Sequence, residues 1–468
     1  MKLPNMLDAA KRDKEKVEYI YENRDYNKIY DNKKYFIRTY GCQMNVHDSE
    51  EISGILDNLG YTKTKEFKES DLIILNTCAI RENVHDKVFG FLGRCKHLKK
   101  QNPNLLIALC GCMAQEEVVV SVIKEKYPYI DFVFGTHNIN ELPNMLEESF
   151  GHQKINVYSK EGNVIEFDNV YKRDSNITAW VNIMYGCDKF CTYCIVPYTR
   201  GKQRSRKPED IIKEVSDLVS KGYQEITLLG QNVNAYGKDL EDNMGFSNLL
   251  EMVSKTEINR IRFVTSHPWD FTDEMIEVIA KYDNIMPYIH LPVQSGSNKI
   301  LKLMNRNYTK EDYLTLFNKI NKIKNVSITT DIIVGFPGET EEDFLETLEL
   351  ADTCKFAGAF TFVFSPRNGT PATKMKDETL KSEKDNRLQR LNKVINKYSK
   401  ESNLKMLGTI QKVLITGLSE KDDSKVCGYT ENMKLVNIIA PKSTIGKIIE
   451  VEIIGAKSFS LDGKEKKC

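Results

Sequence analysis

The stretch ITAWVNIMYGCDKFCTYC, residues 177–194, joins a β-branched, aromatic run to a loop carrying three cysteines. ITAWVNIM (177–184) predicts a strand. Cys187, Cys191 and Cys194 follow it in the spacing C-x3-C-x2-C. Thiolates are soft ligands, suited to iron–sulfur clusters or zinc. Structural zinc takes four ligands. None of the seven histidines, at 47, 85, 97, 137, 152, 267 and 290, lies between residues 180 and 205. Three thiolates on a 4Fe–4S cube leave one iron open for a substrate or cofactor. The alternatives are zinc with a remote fourth ligand and a Cys191–Cys194 redox pair. The redox pair calls for a thioredoxin-like context, which this is not.

Working outward, strands and helices alternate. EITLLG (225–230), RIRFVTS (260–266), PYIHLPV (287–293), VSITTDIIVG (326–335) and GAFTFVF (358–364) predict five further strands separated by helical stretches. Six β/α units in about 190 residues suit an incomplete TIM-like (β/α)6 barrel better than an eight-unit one. A charged amphipathic helix, Lys381–Leu404, closes this part. Upstream, KYFIRTY (34–40), DLIILN (71–76), LLIALC (105–110) and DFVF (131–134) alternate with helical stretches near Ser49–Leu59, Asn83–Lys100 and Ala114–Glu125. That pattern predicts an open parallel α/β sheet domain. Residues 151–172 read as a hairpin-like connector. Beyond residue 404, short strands divided by Gly and Asp/Ser turns predict a small β-barrel. The expected plan is an extension (1–34), an N-terminal domain (35–150), the connector (151–172), a core (173–403) and the C-terminal barrel (404–468).

Composition narrows the function classes. The chain has 468 residues, 41% hydrophobic and 28% charged, which is globular and neither disordered nor collagenous. No stretch approaches the ~20 apolar residues of a membrane span. Residues 1–34 carry nine basic and seven acidic side chains and no apolar h-region, so a cytoplasmic protein is expected. Net charge is +1, so nucleic-acid contact must come from local patches. One such patch is TRGKQRSRK (199–207), where Arg200, Lys202, Arg204, Arg206 and Lys207 stand without an acid directly after the cysteine loop. It is placed to hold phosphates near the loop, unless it is a solvated basic turn. The last 65 residues hold 11 Lys against eight acids, and their Tyr429 and Phe459 either stack bases or fill the core.

Eleven cysteines, an odd number in a long chain, argue against a disulfide framework. A second set is spread over the N-terminal domain as YGCQMN (Cys42), NTCAIRE (Cys78) and CGCMAQ (Cys110, Cys112). Each follows or ends a predicted strand. Ligands of open parallel sheets bind at the carboxyl ends of strands, so three loops on one edge can gather three thiolates. Otherwise each packs as a small hydrophobe. Cys110 would still belong to its strand, so Cys112 is favoured. Cys95, Cys354, Cys427 and Cys468 show no partner pattern and are read as packing residues.

The cysteine loop, with Tyr193 directly before the last cysteine, resembles the radical S-adenosylmethionine (SAM) superfamily. From about Tyr35 to Gly463 the chain resembles the methylthiotransferase family. The carrying motifs are TYGCQMN (39–45), LNTCAIRENVHDKVFG (75–90), GCMAQ (111–115), FVFGTHNI (132–139), YGCDKFCTYCIVPYTRG (185–201), LLGQNVNAYG (228–237), HLPVQSGS (290–297), TTDIIVGFPGET (329–340) and FSPRNGTPA (364–372). NIIAPKSTIG (437–446) departs from the pattern at Ala440, where Gly is usual. The resemblance implies two 4Fe–4S clusters, one on Cys187, Cys191 and Cys194 that binds SAM, the other on Cys42, Cys78 and Cys112 that carries the sulfur to be inserted. It further implies SAM contacts at Tyr193, Gly230, Gln231, Asn232, Asp331, Gly335 and Gly338, although the glycines also suit simple strand-to-helix turns. The C-terminal barrel resembles the TRAM domain.

The implied activity uses two SAM molecules, one donating a methyl group and one a 5′-deoxyadenosyl radical. It places a methylthio group on carbon 2 of an isopentenylated adenosine at position 37 of tRNA. Sister activities act on threonylcarbamoyl-adenosine of tRNA or on a ribosomal-protein aspartate. A non-catalytic iron–sulfur RNA-binding protein is the reading from another class. The expected partners are tRNA, an electron donor and a sulfur donor, the last two of unknown identity; no membrane is expected, and the chain is expected to be a monomer.

Overall fold

The computed structural model describes residues 19–22, 28, 30–79, 82–148, 154–156, 164–167, 171–241 and 244–466. Most of the extension expected over 1–34 and of the connector expected over 151–172 lies outside the described residues. The chain divides into two compact units.

The first unit draws on Met1–Asp174, Tyr185–Arg204 and Arg367–Pro371, so the three-cysteine loop groups with the N-terminal sheet. Strands β1 (Lys34–Thr39), β2 (Thr62–Lys63), β3 (Leu72–Thr77), β4 (Leu106–Gly111), β5 (Phe132–Phe134) and β6 (Lys154–Asn156) lie in the order β2-β1-β3-β4-β5-β6. All neighbours are parallel. β3 is buried along its whole length, which explains its unbroken apolar start. Helices α1 (Gln43–Asn58), α2 (Glu82–Gln101), α3 (Glu117–Lys126) and α4 (Leu142–Glu148) cover the sheet. Ile52, Ile55 and Leu56 of α1 pack with Phe132, Phe134 and Leu146 on one face. Val88, Phe91 and Leu92 of α2 pack with Ile73, Leu75 and Ile123 on the other.

The connector is no hairpin in its described parts. β6 extends the sheet in parallel beside β5, and Val164–Phe167 pairs in parallel with Tyr19–Glu22. A hairpin needs two antiparallel partners, and here each segment takes a parallel edge elsewhere.

The second unit draws on Ser175–Met184, Ser205–Pro366 and Ala372–Cys468. Strands β7 (Thr178–Asn182), β8 (Glu225–Leu229) and β9 (Arg260–Phe263) pair in sequence, as do β10 (Tyr288–His290), β11 (Ser327–Val334) and β12 (Gly358–Val363). A parallel bridge between Ile261 and Ile285 continues the run from β9 toward β10. Six parallel strands in chain order, with helices between them, make the expected (β/α)6 architecture. The alternate residues Ile328, Ile332 and Val334 of β11 enter one apolar core with Ile226, Leu228, Ile261 and Ile289. The terminal helix α5 (Lys381–Leu404) packs on β12, where the Thr361 and Asn392 side chains lie 2.6 Å apart.

The chain ends in a closed five-stranded barrel of β13 (Ile410–Ser419), β14 (Asp422–Thr430), β15 (Leu435–Ile439), β16 (Ile448–Ala456) and β17 (Leu461–Glu465). Val413, Ile415, Val426, Val436, Val451 and Leu461 fill it. Arg260 of β9 donates to the carbonyl oxygens of Tyr429 (2.8 Å) and Lys412 (3.0 Å), docking this barrel on the larger one. Phe459 is 75% exposed and so does not fill the core; Tyr429 is half-buried.

Candidate functional site

The order β2-β1-β3 sets the two strands that follow β1 in the chain on opposite sides of it. Such a switch point opens a crevice outside the carboxyl ends of the strands. Cys42 lies there, at the N-terminus of α1 after β1. Cys78 follows β3, and Cys112 begins the single 3-10 turn after β4.

A buried polar network supports these loops. Asn45 donates to the Asn76 side chain (3.0 Å) and to the Thr77 carbonyl (3.1 Å). Asn76 donates in return to the Asn45 carbonyl and to Ser49, both at 2.8 Å. Thr77 donates to the Cys110 carbonyl at 2.6 Å. The loops also approach closely. At Gly111 (φ +90°), a Cβ would lie 2.4 Å from both the Asn76 Oδ1 and the Thr77 carbonyl. Only glycine tolerates that combination.

Burial pushes the Cys112 thiol up, and Cys42, within electrostatic reach, pushes the same way. Cys78 lies beside the Gly41 backbone, where a Cβ would meet the Cys78 Cβ at 2.6 Å. Cys112 packs with Ala79 and Ile195. Cys110 turns instead into the core beneath α1.

The second trio sits in a compact loop. The Cys187 N–H donates to the Gly201 carbonyl (3.2 Å), and the Cys194 N–H to the Cys191 carbonyl (2.9 Å). Phe190 holds φ +46°, rare for a bulky residue, and its ring meets Tyr198 edge-on at 6.3 Å. Burial pushes the Cys187 thiol well up, and the neighbouring Cys194 and Cys191 push the same way. A metal reverses this logic, since a coordinated thiol is deprotonated outright.

The donor sets fit clusters. Each is three cysteines, and thiolates are what iron–sulfur clusters take. Among the described residues no three Cys, His, Asp or Glu groups converge to hold a single metal ion. Cluster thiolates differ, since they spread over separate irons. The proposed SAM contacts are mixed. Gln231, just past β8, keeps both carboxamide atoms buried without a hydrogen-bond partner, as does Asn182 at the end of β7. Such orphans invite a polar ligand. Asn232 donates to Asp270 at 2.6 Å and leaves its own oxygen orphaned. Asp331 lies 3.3 Å from the His290 ring. Gly335 (φ +68°) is backed by the Lys384 stem, and its N–H donates to Glu339. Gly338 has φ +85°. Tyr193 is half-buried in the first unit.

The basic stretch departs from expectation. Arg200, Arg204 and Arg206 are all buried, at 4%, 6% and 4% exposure. Arg200 grips Asp48 with two hydrogen bonds, at 2.5 and 3.5 Å. Arg204 meets the Arg200 carbonyl (3.2 Å) and the His137 Nδ1 (3.3 Å). Arg206 donates to the Asn182 carbonyl (2.6 Å) and pairs with Glu214 (2.7 Å). Charge pattern alone suggested a phosphate grip; the distant Asp48, the nearby Glu214 and backbone carbonyls instead take these guanidinium groups inside. Of the five, Lys207 is exposed and Lys202 half-buried. Sequence reasoning missed Asp48 and His137 altogether. His137 lies in a quoted motif, FVFGTHNI, yet nothing local marks its burial beside two arginines; that burial first, and the charges of Arg204 and Arg200 after it, hold its pKa down to about 3.

Comparison with known proteins fits this geometry. Residues 181–351 match the radical SAM superfamily, 34–135 the uncharacterised protein family UPF0004, and 404–465 the TRAM domain. A tRNA-2-methylthio-N(6)-dimethylallyladenosine synthase of Staphylococcus epidermidis is 55% identical over 98% of this chain and 91% of its own length. Its namesake in Staphylococcus haemolyticus is 55% identical over 99% and 91%. Among solved structures, the radical S-adenosylmethionine methyltransferase TsrM of Kitasatospora setae overlays with a TM-score of 0.53 at 13% identity, over 73% of this chain and 74% of that one. At that identity the likeness concerns the fold alone. The full-length identity, the three matched regions and the two cysteine trios together place the chain in the methylthiotransferase family of the radical SAM superfamily, among the tRNA-2-methylthio-N(6)-dimethylallyladenosine synthases.

Proposed function

We propose that this chain replaces the hydrogen on carbon 2 of N(6)-dimethylallyladenosine, at position 37 of tRNA, with a methylthio group. The observation that carries the reading is 55% identity over 98% of the chain to a relative of that name. An aromatic C–H resists acid–base chemistry, and a radical is the physically sensible way to open it. SAM bound at a 4Fe–4S cluster supplies that radical, and a second cluster supplies a site for sulfur.

Cys187, Cys191 and Cys194 hold the SAM-binding cluster. Cys42, Cys78 and Cys112 hold the other, at the switch-point crevice. Gln231, Asn232, Gly230, Asp331, Gly335, Gly338 and Tyr193 form the SAM site, the orphaned Gln231 carboxamide being its best-supported member. The C-terminal barrel and the exposed Lys207 with Lys202 contact RNA. The protein acts in the cytoplasm, and no helix among the described residues is long and apolar enough to cross a membrane.

Nucleoside mass spectrometry of tRNA from a strain lacking the gene tests the reading. The methylthio nucleoside should disappear and its isopentenyl precursor accumulate. Unchanged tRNA with an altered ribosomal protein, or loss of the methylthio group from threonylcarbamoyl-adenosine alone, would assign the chain to a sister activity.

A further inference from the structure

Arg200 lies six residues beyond Cys194, on the flank of the local trio, yet its side chain ends beside the dispersed one. It is 4% exposed, and its partner Asp48 sits on α1, the helix that Cys42 opens. Asp48 occupies two of the five guanidinium donors. The same guanidinium faces Cys112 and Cys42. Three other contacts bind this flank to the N-terminal sheet. Ile195 packs on Ala79 and Cys112, the Thr136 hydroxyl donates to the Thr199 carbonyl (3.1 Å), and Arg204 meets His137 (3.3 Å). Of these, Arg200 alone brings a positive charge to the cysteines; its partner Asp48 sets an opposing carboxylate near Cys112, where the guanidinium has the larger effect.

Burying an ion pair is costly, and well-packed apolar residues usually serve stability as well or better. A long arginine could also have carried its head to water. The fold does neither here. An all-thiolate site accumulates negative charge in a low-dielectric crevice, where a fixed cation has its largest effect.

We propose that Arg200, oriented by Asp48, is a positioning residue that sets a fixed positive charge against the Cys42/Cys78/Cys112 site and ties the flank of the Cys187/Cys191/Cys194 loop to it. This rests on the reading that the dispersed trio holds a cluster. The pair holds no proton for the reaction and touches no substrate; it acts through the cysteines.

The test uses the full-length chain with Cys187, Cys191 and Cys194 replaced by Ala, so that iron reports the dispersed site alone. Iron per chain and the midpoint potential are read after anaerobic reconstitution. Replacing the pair together, Arg200→Met with Asp48→Leu, removes the guanidinium and its counter-charge at once, so that neither partner is stranded. Arg200→Gln with Asp48→Asn is a second neutral pair, used if the first does not fold. The expected result is a folded protein that either loses its iron or is harder to reduce by at least tenfold, about 59 mV for one electron. Arg200→Lys, which keeps the charge, should retain iron and the parent potential. A neutral pair with the parent's iron and potential would overturn the proposal, as would a Lys variant no better than the neutral pair. A parent that binds no iron would overturn the two-cluster reading itself, and the proposal with it.

Discussion

The two cysteine trios reach the same donor chemistry by opposite routes. Cys187, Cys191 and Cys194 fit within one short loop, shaped by its own backbone and by the left-handed Phe190. Cys42, Cys78 and Cys112 are separated by 36 and 34 residues and share no local structure. A parallel sheet aligns the carboxyl ends of β1, β3 and β4, and each of the three follows one of those ends. The first trio therefore depends on a loop, the second on strand register and on the tight packing of three turns. A site of the first kind can be damaged only nearby; one of the second kind can be dismantled from the sheet beneath it.

The largest expected effects separate the trios by task. Cys187/Cys191/Cys194→Ala should abolish both 5′-deoxyadenosine formation and methylthiolation. Cys42/Cys78/Cys112→Ala should still form 5′-deoxyadenosine from SAM while making no methylthio nucleoside. Each variant should hold about four iron atoms against about eight in the parent. Both products and iron are assayed on reconstituted protein. Wild-type methylthiolation by the N-terminal triple variant would reduce its cysteines to packing residues and erase the contrast.

Next in size is a substitution that breaks only the dispersed site without touching a cysteine. Gly111→Ala forces a side chain into the Asn76 and Thr77 contacts at an unfavourable φ. The strain is about 1–3 kcal/mol at one turn, relieved by moving Cys112. Iron should fall toward about four per chain with 5′-deoxyadenosine formation retained. Full iron loading would show that the three turns have more slack than their spacing indicates.

What was legible in the sequence follows the same division. The C-x3-C-x2-C loop could be read directly, and the strand alternation gave the parallel sheet and with it the second trio. α1 was expected near Ser49–Leu59 but begins at Gln43. Its first turns bury Asn45, His47, Asp48, Ser49 and Glu50, so no apolar stripe marked them. The basic stretch read as a phosphate grip because the acid that takes Arg200 is remote: Asp48 lies 152 residues away. Linear charge patterns carry no information on which acid folds onto them.

That lesson gives a smaller, sharper contrast beside the local trio. Arg206→Ala removes the ion pair with the mostly buried Glu214 and the hydrogen bond to the Asn182 carbonyl, and should cost about 3 kcal/mol of stability. Lys202→Ala with Lys207→Ala should leave stability within about 0.5 kcal/mol. This lysine pair should lower the slope of log affinity for tRNA against log salt by about one per lost phosphate contact. Calorimetry and a salt series of binding isotherms read the two. A salt slope unchanged by the lysine pair would leave the stretch without a role in RNA binding.

The smallest effect concerns a cysteine of neither kind. Cys95 is fully buried in the core between α2 and the sheet, with Phe91, Leu92 and Leu105. Burial pushes its thiol from 9.0 to about 12, so at neutral pH it is an uncharged, sulfur-bearing hydrophobe. Cys95→Ala should leave iron unchanged and cost about 1 kcal/mol through lost burial and a small cavity. The pH dependence follows from the same burial. The folded state holds the proton more tightly than the unfolded chain, so the stabilisation is complete below about pH 9 and is lost as pH climbs toward about 12. Alanine has no proton to lose. The stability gap between the parent and Cys95→Ala should therefore narrow above pH 9, by about 1 kcal/mol at pH 10. Urea midpoints of the transition that includes the N-terminal sheet, taken at pH 7 and pH 10, measure it. A constant gap with unchanged iron would mean that the thiol titrates alike in both states. Lost iron would make Cys95 a ligand, and the dispersed site would need redrawing.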